Sequence, residues 1–285
     1  MCRALFVFLG LALLAVDLCM PAVTIARDFP PGADQAVHRE GIKYASEGKF
    51  DDAKDWFEKN LETNKTDNTS QGALMLLKDL NKGRISREYA IAVFKGLNFL
   101  QDGSREQAIN VLEQAIKLKP RYAKPYNILA IIYSSTDDIH KAVEYFQKAV
   151  EVNPKYSEAY FNLAALYQSL GQPEDAINFY KKAVELEPNF SEAVIHIAAL
   201  CASLGKYDEA AGYYQDAIKI DRSNPETYYN LALVYFISGK VIKFKDNLLK
   251  AQELFRQRND ENGLHKVEEY MHKIEDLEKK IGQTR

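Results

Sequence analysis

From Asp34 onward, apolar residues recur three or four apart in stretches broken by short turns such as Leu170-Gly171-Gln172 and Leu204-Gly205-Lys206. That spacing predicts amphipathic helices. The stretches come in pairs, and the pairs repeat. Ala123-Lys124-Pro125-Tyr126, Ser157-Glu158-Ala159-Tyr160, Ser191-Glu192-Ala193-Val194 and Pro225-Glu226-Thr227-Tyr228 each open a pair, 34 residues after the one before. One step back lands on Tyr89, and a further pair begins at Asp34 after an offset of 21 residues. Small residues hold one place in each first helix (Gly41, Gly96, Ala130, Ala164, Ala198, Ala232). They hold another in each second helix (Ala53, Ala108, Ala142, Ala176, Ala210), so the two axes can cross closely. Ala115, Ala149, Ala183, Ala217 and Ala251 recur on the second helix toward the next pair. Phe57, Phe146, Tyr180 and Tyr214, with Tyr133, Tyr167 and Tyr235, supply the bulk between. Pro120, Pro154 and Pro188 end the second helices, because proline cannot continue a helix interior.

At these residues the chain resembles the tetratricopeptide repeat family: Tyr160, Leu163, Ala164, Tyr167, Gly171, Ala176, Tyr180, Ala183 and Pro188 stand at the family's spacing. The resemblance implies an all-α fold, a right-handed superhelical solenoid of about six helix-turn-helix units. Residues 34–67 form the first unit and residues 89–258 units two to six. Glu40, Asn60 and Lys65 weaken the first unit, and Phe244 replaces the small residue of the last, which predicts a splayed final pair.

Two segments fall outside the period. In residues 68–88, Ala73, Leu74, Leu77 and Leu80 share one helical face before Asn81-Lys82-Gly83 ends it. This predicts an inserted helix filling the groove between units one and two, the alternative being a hinge or a partner-contacting insert. In residues 259–285, Leu264, Val267, Met271, Ile274, Leu277 and Ile281 make one stripe. Glu269–Lys273, Glu275–Lys279 and Asp276–Lys280 are spaced to pair on the other faces. The expectation is a capping helix over the apolar end of the array, with a coiled-coil dimer as the alternative.

Residues 1–26 read as a secretory signal: Arg3, the apolar run Ala4–Val16, and the small triplet Thr24-Ile25-Ala26 as a cleavage site. An uncleaved anchor would have to bury Asp17. The expected location is therefore the periplasm or the secreted space, with an anchored form as the alternative. Cleavage would leave one of the 3 cysteines, Cys201, in a place held by tyrosine in other units and read as a small buried hydrophobe. Asn64-Lys65-Thr66, Asn68-Thr69-Ser70 and Asn189-Phe190-Ser191 would carry glycans only in a eukaryotic secretory pathway.

Composition narrows the function. The net charge of −3 disfavours a nucleic-acid binder, which needs a basic surface. No phosphate loop, nucleophile elbow or zinc-protease helix occurs, so no enzyme, cofactor or metal is expected. His265, Glu269 and His272 share one helix side, but a single exposed helix offers no complete ligand set.

The resemblance instead implies a protein or peptide partner held in a concave groove lined by first helices. The candidate lining is Asn127, Ile131, Phe161, Asn162, Ala165, Gln168, Ile195, His196, Ala199, Tyr229, Asn230, Leu233 and Phe236. Asn162 and Asn230 are read as solvent-facing amides able to donate to and accept from a peptide backbone. Lys124 and Arg39 are the only bases on that face, whereas Glu158, Glu192 and Glu226 edge it, which argues against a carboxylate clamp. The expected role is a non-catalytic interaction scaffold without membrane contact after cleavage. The alternatives are a homo-oligomer joined through the groove or the C-terminal helix, and an accessory subunit of an envelope enzyme.

Overall fold

The computed structural model describes residues 34–63, 67–136 and 138–283. The signal reading of residues 1–26 and the sequon at Asn64 lie outside them, as do the side chains of Ile274, Leu277 and Ile281 and the cationic partners in the three pairs of the last helix. The described residues form helices and no strand, an all-α repeat fold. They divide at Leu186 into two compact bodies, each taken by itself below.

The first body contains α1 (Asp34–Ser46), α2 (Phe50–Thr63), α3 (Asn68–Asn81), α4 (Arg87–Gln101), α5 (Arg105–Leu118), α6 (Ala123–Ser134), α7 (Ile139–Val152), α8 (Ser157–Ser169) and α9 (Pro173–Leu186). The second contains α10 (Ser191–Ser203), α11 (Tyr207–Ile220), α12 (Pro225–Ile237), α13 (Val241–Gln257) and α14 (Glu261–Gln283).

The helix pairs close where small residues meet large ones. Ala130, Ala142 and Phe146 are wholly buried in one pair, and Ala164, Ala176 and Tyr180 in the next. A Cβ added to Gly96 would come within 2.7 Å of Leu112, and one on Gly41 within 2.6 Å of Trp56, so both first helices are pressed against their partners. Helices α5, α7 and α9 stop two residues before Pro120, Pro154 and Pro188. Gly171, Gly205 and Gly239, at φ of 70°, 74° and 70°, sit in the left-handed region that ends each first helix most cheaply with glycine.

The first pair docks differently from the rest. Later second helices of this body lie against the next first helix, α5 on α6 and α7 on α8. Here α1 itself lies against α4, running antiparallel to it. Arg87 Nη2 at the start of α4 donates to the Gly48 carbonyl beyond the end of α1, at 2.6 Å. Arg39 Nη2 donates to the Gln101 carbonyl at the other end, at 3.3 Å. The insert is the physical reason, because α3 packs on α2 and takes the surface that would otherwise meet α4.

In the second body the last repeat pair is not splayed. Phe244 is wholly buried, and its ring lies 5.2 Å from that of Phe236, beside Ala232 at 0% exposure. The extra volume of Phe244 is taken up in that tilted ring contact, so the splaying expected from its size does not occur. Helix α14 then packs on α13 through Val267, which is wholly buried, and a Cβ on Gly263 would run into the Phe255 ring.

Candidate functional site

Helix α3 lies over first helices of its own chain. Its Thr69, Ala73 and Leu76 share a gap of about 10 Å³ with Ile42 of α1, Phe94 and Leu97 of α4, and Lys124 of α6. That space barely admits one water, so the surfaces are closely fitted. Leu97 stands one period before Ile131, and Phe94 two periods before Asn162; Ile42 holds the same place as Leu97 in the first pair. The positions that α3 covers are therefore repeat equivalents of the candidate groove lining.

Buried carboxylates pin α3 at both ends. Asp67 is its N-cap and accepts from the Ser70 backbone N–H at 2.9 Å. The same Oδ2 lies 2.8 Å from His38 Nε2 of α1 and accepts from Asn60 Nδ2 of α2, also at 2.8 Å. Burial works to raise the Asp67 carboxyl, but hydrogen bonds from Ser70 and His38 outweigh it and hold the group below the usual carboxylate range. At the far end Asp79, 6% exposed, accepts from Arg84 Nη1 at 3.0 Å and from the Tyr122 hydroxyl. Burial, with the hydrogen bond to Asp79, pushes the Tyr122 phenol well above its ordinary value. Tyr122 also meets the Tyr89 ring edge-on at 5.3 Å.

The candidate lining divides by exposure. In the first body Asn127 and Asn162 are wholly buried, and Asn162 Nδ2 donates to Asn127 Oδ1 at 3.1 Å. Their amides join α6 to α8, and Asn162 Oδ1 has no hydrogen-bond partner among the described residues. Phe161, Ala165 and Ile131 are buried as well, and Phe161 meets Tyr180 edge-on at 5.2 Å. Gln168 stays half-buried and accepts from the Tyr180 hydroxyl at 3.1 Å.

In the second body His196, Ala199 and Leu233 are buried, whereas Ile195, Tyr229, Asn230 and Phe236 are half-buried. Burial lowers the His196 imidazole to about 4, so it is neutral at neutral pH. Tyr229 meets Tyr270 of α14 edge-on at 5.9 Å, so the C-terminal helix reaches the α12 face as well as covering α13. The expectation that Asn162 faces solvent is thus corrected, whereas Asn230 keeps part of its surface.

The two bases do not form a clamp. Arg39 lies 3.4 Å from Asp102, and the Lys124 ammonium stands so close to α3 that a Cβ on Gly72 would be 3.0 Å from it. Cys201 is a buried cysteine at 2% exposure and forms no disulfide among the described residues. Among the described residues no cluster of His, Cys, Asp and Glu could hold a metal ion, and no helix is long and apolar enough to cross a membrane. The roles of Asp67, Asn60, Asp79 and Tyr122 were hidden from the sequence. The acid at an N-cap position before α3 was the one available signal.

Residues 90–122, 123–156 and 157–190 each match a family described as tetratricopeptide repeat, and residues 198–239 match one described as TPR repeat. The chain belongs to the tetratricopeptide repeat family. No curated protein sequence matches it. Among solved structures, MamA is similar at 21% identity over 57% of this chain and 96% of its own, with a TM-score of 0.53. YrrB, described as a TPR protein with an unusual peptide-binding site, is similar at 20% identity over 69% of this chain and 99% of its own, TM-score 0.52. Pseudomonas aeruginosa pilF is similar at 18% identity over 69% and 97%, TM-score 0.52. At these identities the likeness is one of fold.

Proposed function

We propose that the protein is a non-catalytic interaction scaffold whose first-helix faces take an amphipathic helix or peptide segment of a protein partner. One observation carries the reading. The chain already seats a helix of its own, α3, on positions that recur along the array, with Ala73 and Leu76 turned to Ile42, Phe94 and Leu97. A face that accepts an apolar helix stripe at one point of a periodic surface has the chemistry to accept another elsewhere. Gln168 in the first body, and by itself the set Ile195, Tyr229, Asn230 and Phe236 in the second, are half-buried and keep such first-helix positions accessible. The peptide-binding site in the description of YrrB supports the same kind of partner. Export to the periplasm or secreted space, on the strength of residues 1–26, completes the proposal.

A photoreactive amino acid placed at Gln168, Tyr229 or Phe236, one at a time, tests it in cells. The expected result is one recurrent crosslinked protein from these positions and none from the exposed Lys148 on α7. Equal crosslinking from both sets would refute the groove reading. Crosslinks to a second copy of this chain would instead favour the homo-oligomer.

A further inference from the structure

The repeat serves as its own control for surface charge. Second helices end in an ion pair three residues apart: Lys148–Glu151 at 3.0 Å, Lys182–Glu185 at 2.7 Å and Asp216–Lys219 at 2.7 Å. The same two places on α5 hold Gln114 and Lys117, so that pair's acid is missing. The following turn departs in the same direction. Lys119 stands where Asn153, Glu187 and Asp221 stand in later units, and Arg121 where Lys155, Asn189 and Ser223 stand. Leu118, between Lys117 and Lys119, is 55% exposed, whereas its equivalents Val152, Leu186 and Ile220 are half-buried.

A second basic segment is held beside this turn. The Tyr122 hydroxyl and Arg84 both bond Asp79 at the end of α3, which brings the exposed Lys78, Lys82 and Arg84 next to Lys119, whose ammonium lies 5.9 Å from the Tyr122 ring. Lys78, Lys82, Lys117 and Arg121 form no ion pair among the described residues. The neighbouring acids in sequence are Asp79, Glu88 and Glu113, and Asp79 is consumed by Arg84 and Tyr122. A chain of net charge −3 thus concentrates positive charge at one loop end.

We propose that this loop end, residues 78–84 with 117–122, docks on an anionic membrane surface. Each Lys or Arg held near such a surface gains roughly 1 kcal/mol, and an exposed leucine between two lysines can enter the headgroup layer while the ammonium groups stay at phosphate depth. Leu118 stands exposed at the last position of α5 rather than in a groove, a shape that suits a planar polyanion better than an acidic peptide. The contact differs from the expectation of no membrane contact after cleavage, and it does not depend on the partner groove.

The test is co-sedimentation of the full chain with vesicles of equal phosphatidylglycerol and phosphatidylcholine, against pure phosphatidylcholine. The difference between variants is the readout, because the apolar run Ala4–Val16 is common to all of them. Lys117→Gln with Lys119→Gln and Arg121→Gln should lower partitioning onto the anionic vesicles on the order of a hundredfold. The matched set Lys148→Gln, Lys182→Gln and Lys250→Gln should leave it unchanged, with circular dichroism confirming the fold of both. Leu118→Ser should weaken binding several-fold and leave its salt dependence intact. Equal loss in the two triple variants, or equal binding of wild type to neutral vesicles, would overturn the proposal. So would poly-glutamate binding that tracks the loop charges while Leu118→Ser has no effect on vesicles, which would make the surface a site for acidic protein.

Discussion

Replacing Leu76 by alanine tests whether α3 is a packed part of the first body. Leu76 is 1% exposed and shares its gap with Ile42, Ala73, Phe94 and Leu97. The change removes three buried carbons, at about 0.8 kcal/mol each, or roughly 2.4 kcal/mol of transfer free energy. The walls come from three other helices and can follow only in part. If about half of the vacated space stays open, the cavity adds about 1 kcal/mol. The expected total is about 3 kcal/mol, read as a lower urea midpoint at unchanged slope in circular dichroism. Met75, the next residue on the same helix, is 65% exposed, and Met75→Ala should stay within about 0.5 kcal/mol. A loss below about 1 kcal/mol for Leu76→Ala, or equal effects of the two changes, would mean that α3 is not seated on the first helices.

Asn162→Ala should cost about 1–3 kcal/mol, because it withdraws the buried donor that bonds Asn127, whereas the half-buried Asn230→Ala should cost under about 1 kcal/mol; matched urea midpoints for the two would contradict the burial difference. Ala176→Leu should cost about 1–3 kcal/mol by overpacking the wholly buried crossing of α8 and α9, and an unchanged midpoint would contradict the helix register. For His196, burial lowers the folded value to about 4, so the unfolded chain binds a proton that the folded chain refuses between about pH 6.5 and 4. Stability should fall across that window as pH drops and level off below it, by on the order of 3 kcal/mol from this residue. His196→Gln should remove that share of the slope, and an identical slope in the variant would show that the imidazole is not the cause.

The second-body face differs from that of the first in what covers it. Tyr270 of α14 reaches Tyr229 edge-on, so a partner entering there meets a surface already shared with the C-terminal helix. Within the first body the covering helix is α3, fixed at one end by Asp67 and at the other by Asp79. Asp67 is satisfied by side chains of α1 and α2, and Asp79 by Arg84 and Tyr122 from two separate loops, which makes removal of one partner costly.

The legible part of the site was the set of places in each first helix that turn away from its own partner helix. Asn162 shows the limit of that reading. Its position on the face followed from the period, but its exposure did not, because burial depends on what a neighbouring helix presents. Asn127 occupies the facing place on α6 and absorbs the amide. Phe244 shows the same limit in the repeat itself: its size argued for a splayed pair, and only its tilted contact with the Phe236 ring shows how the volume is accommodated.

Taken alone, the sequence determined the helices, their pairing, the 34-residue period and the small-against-large packing, because these follow from spacings of three and four along one chain. The tertiary structure decided that α1 rather than α2 meets α4, that α3 lies over repeat positions of the groove, and that Asp79 and Tyr122 draw two basic segments together. Those outcomes depend on contacts between residues far apart in the chain, such as Tyr122 and Asp79, 43 residues apart, and no periodicity encodes them.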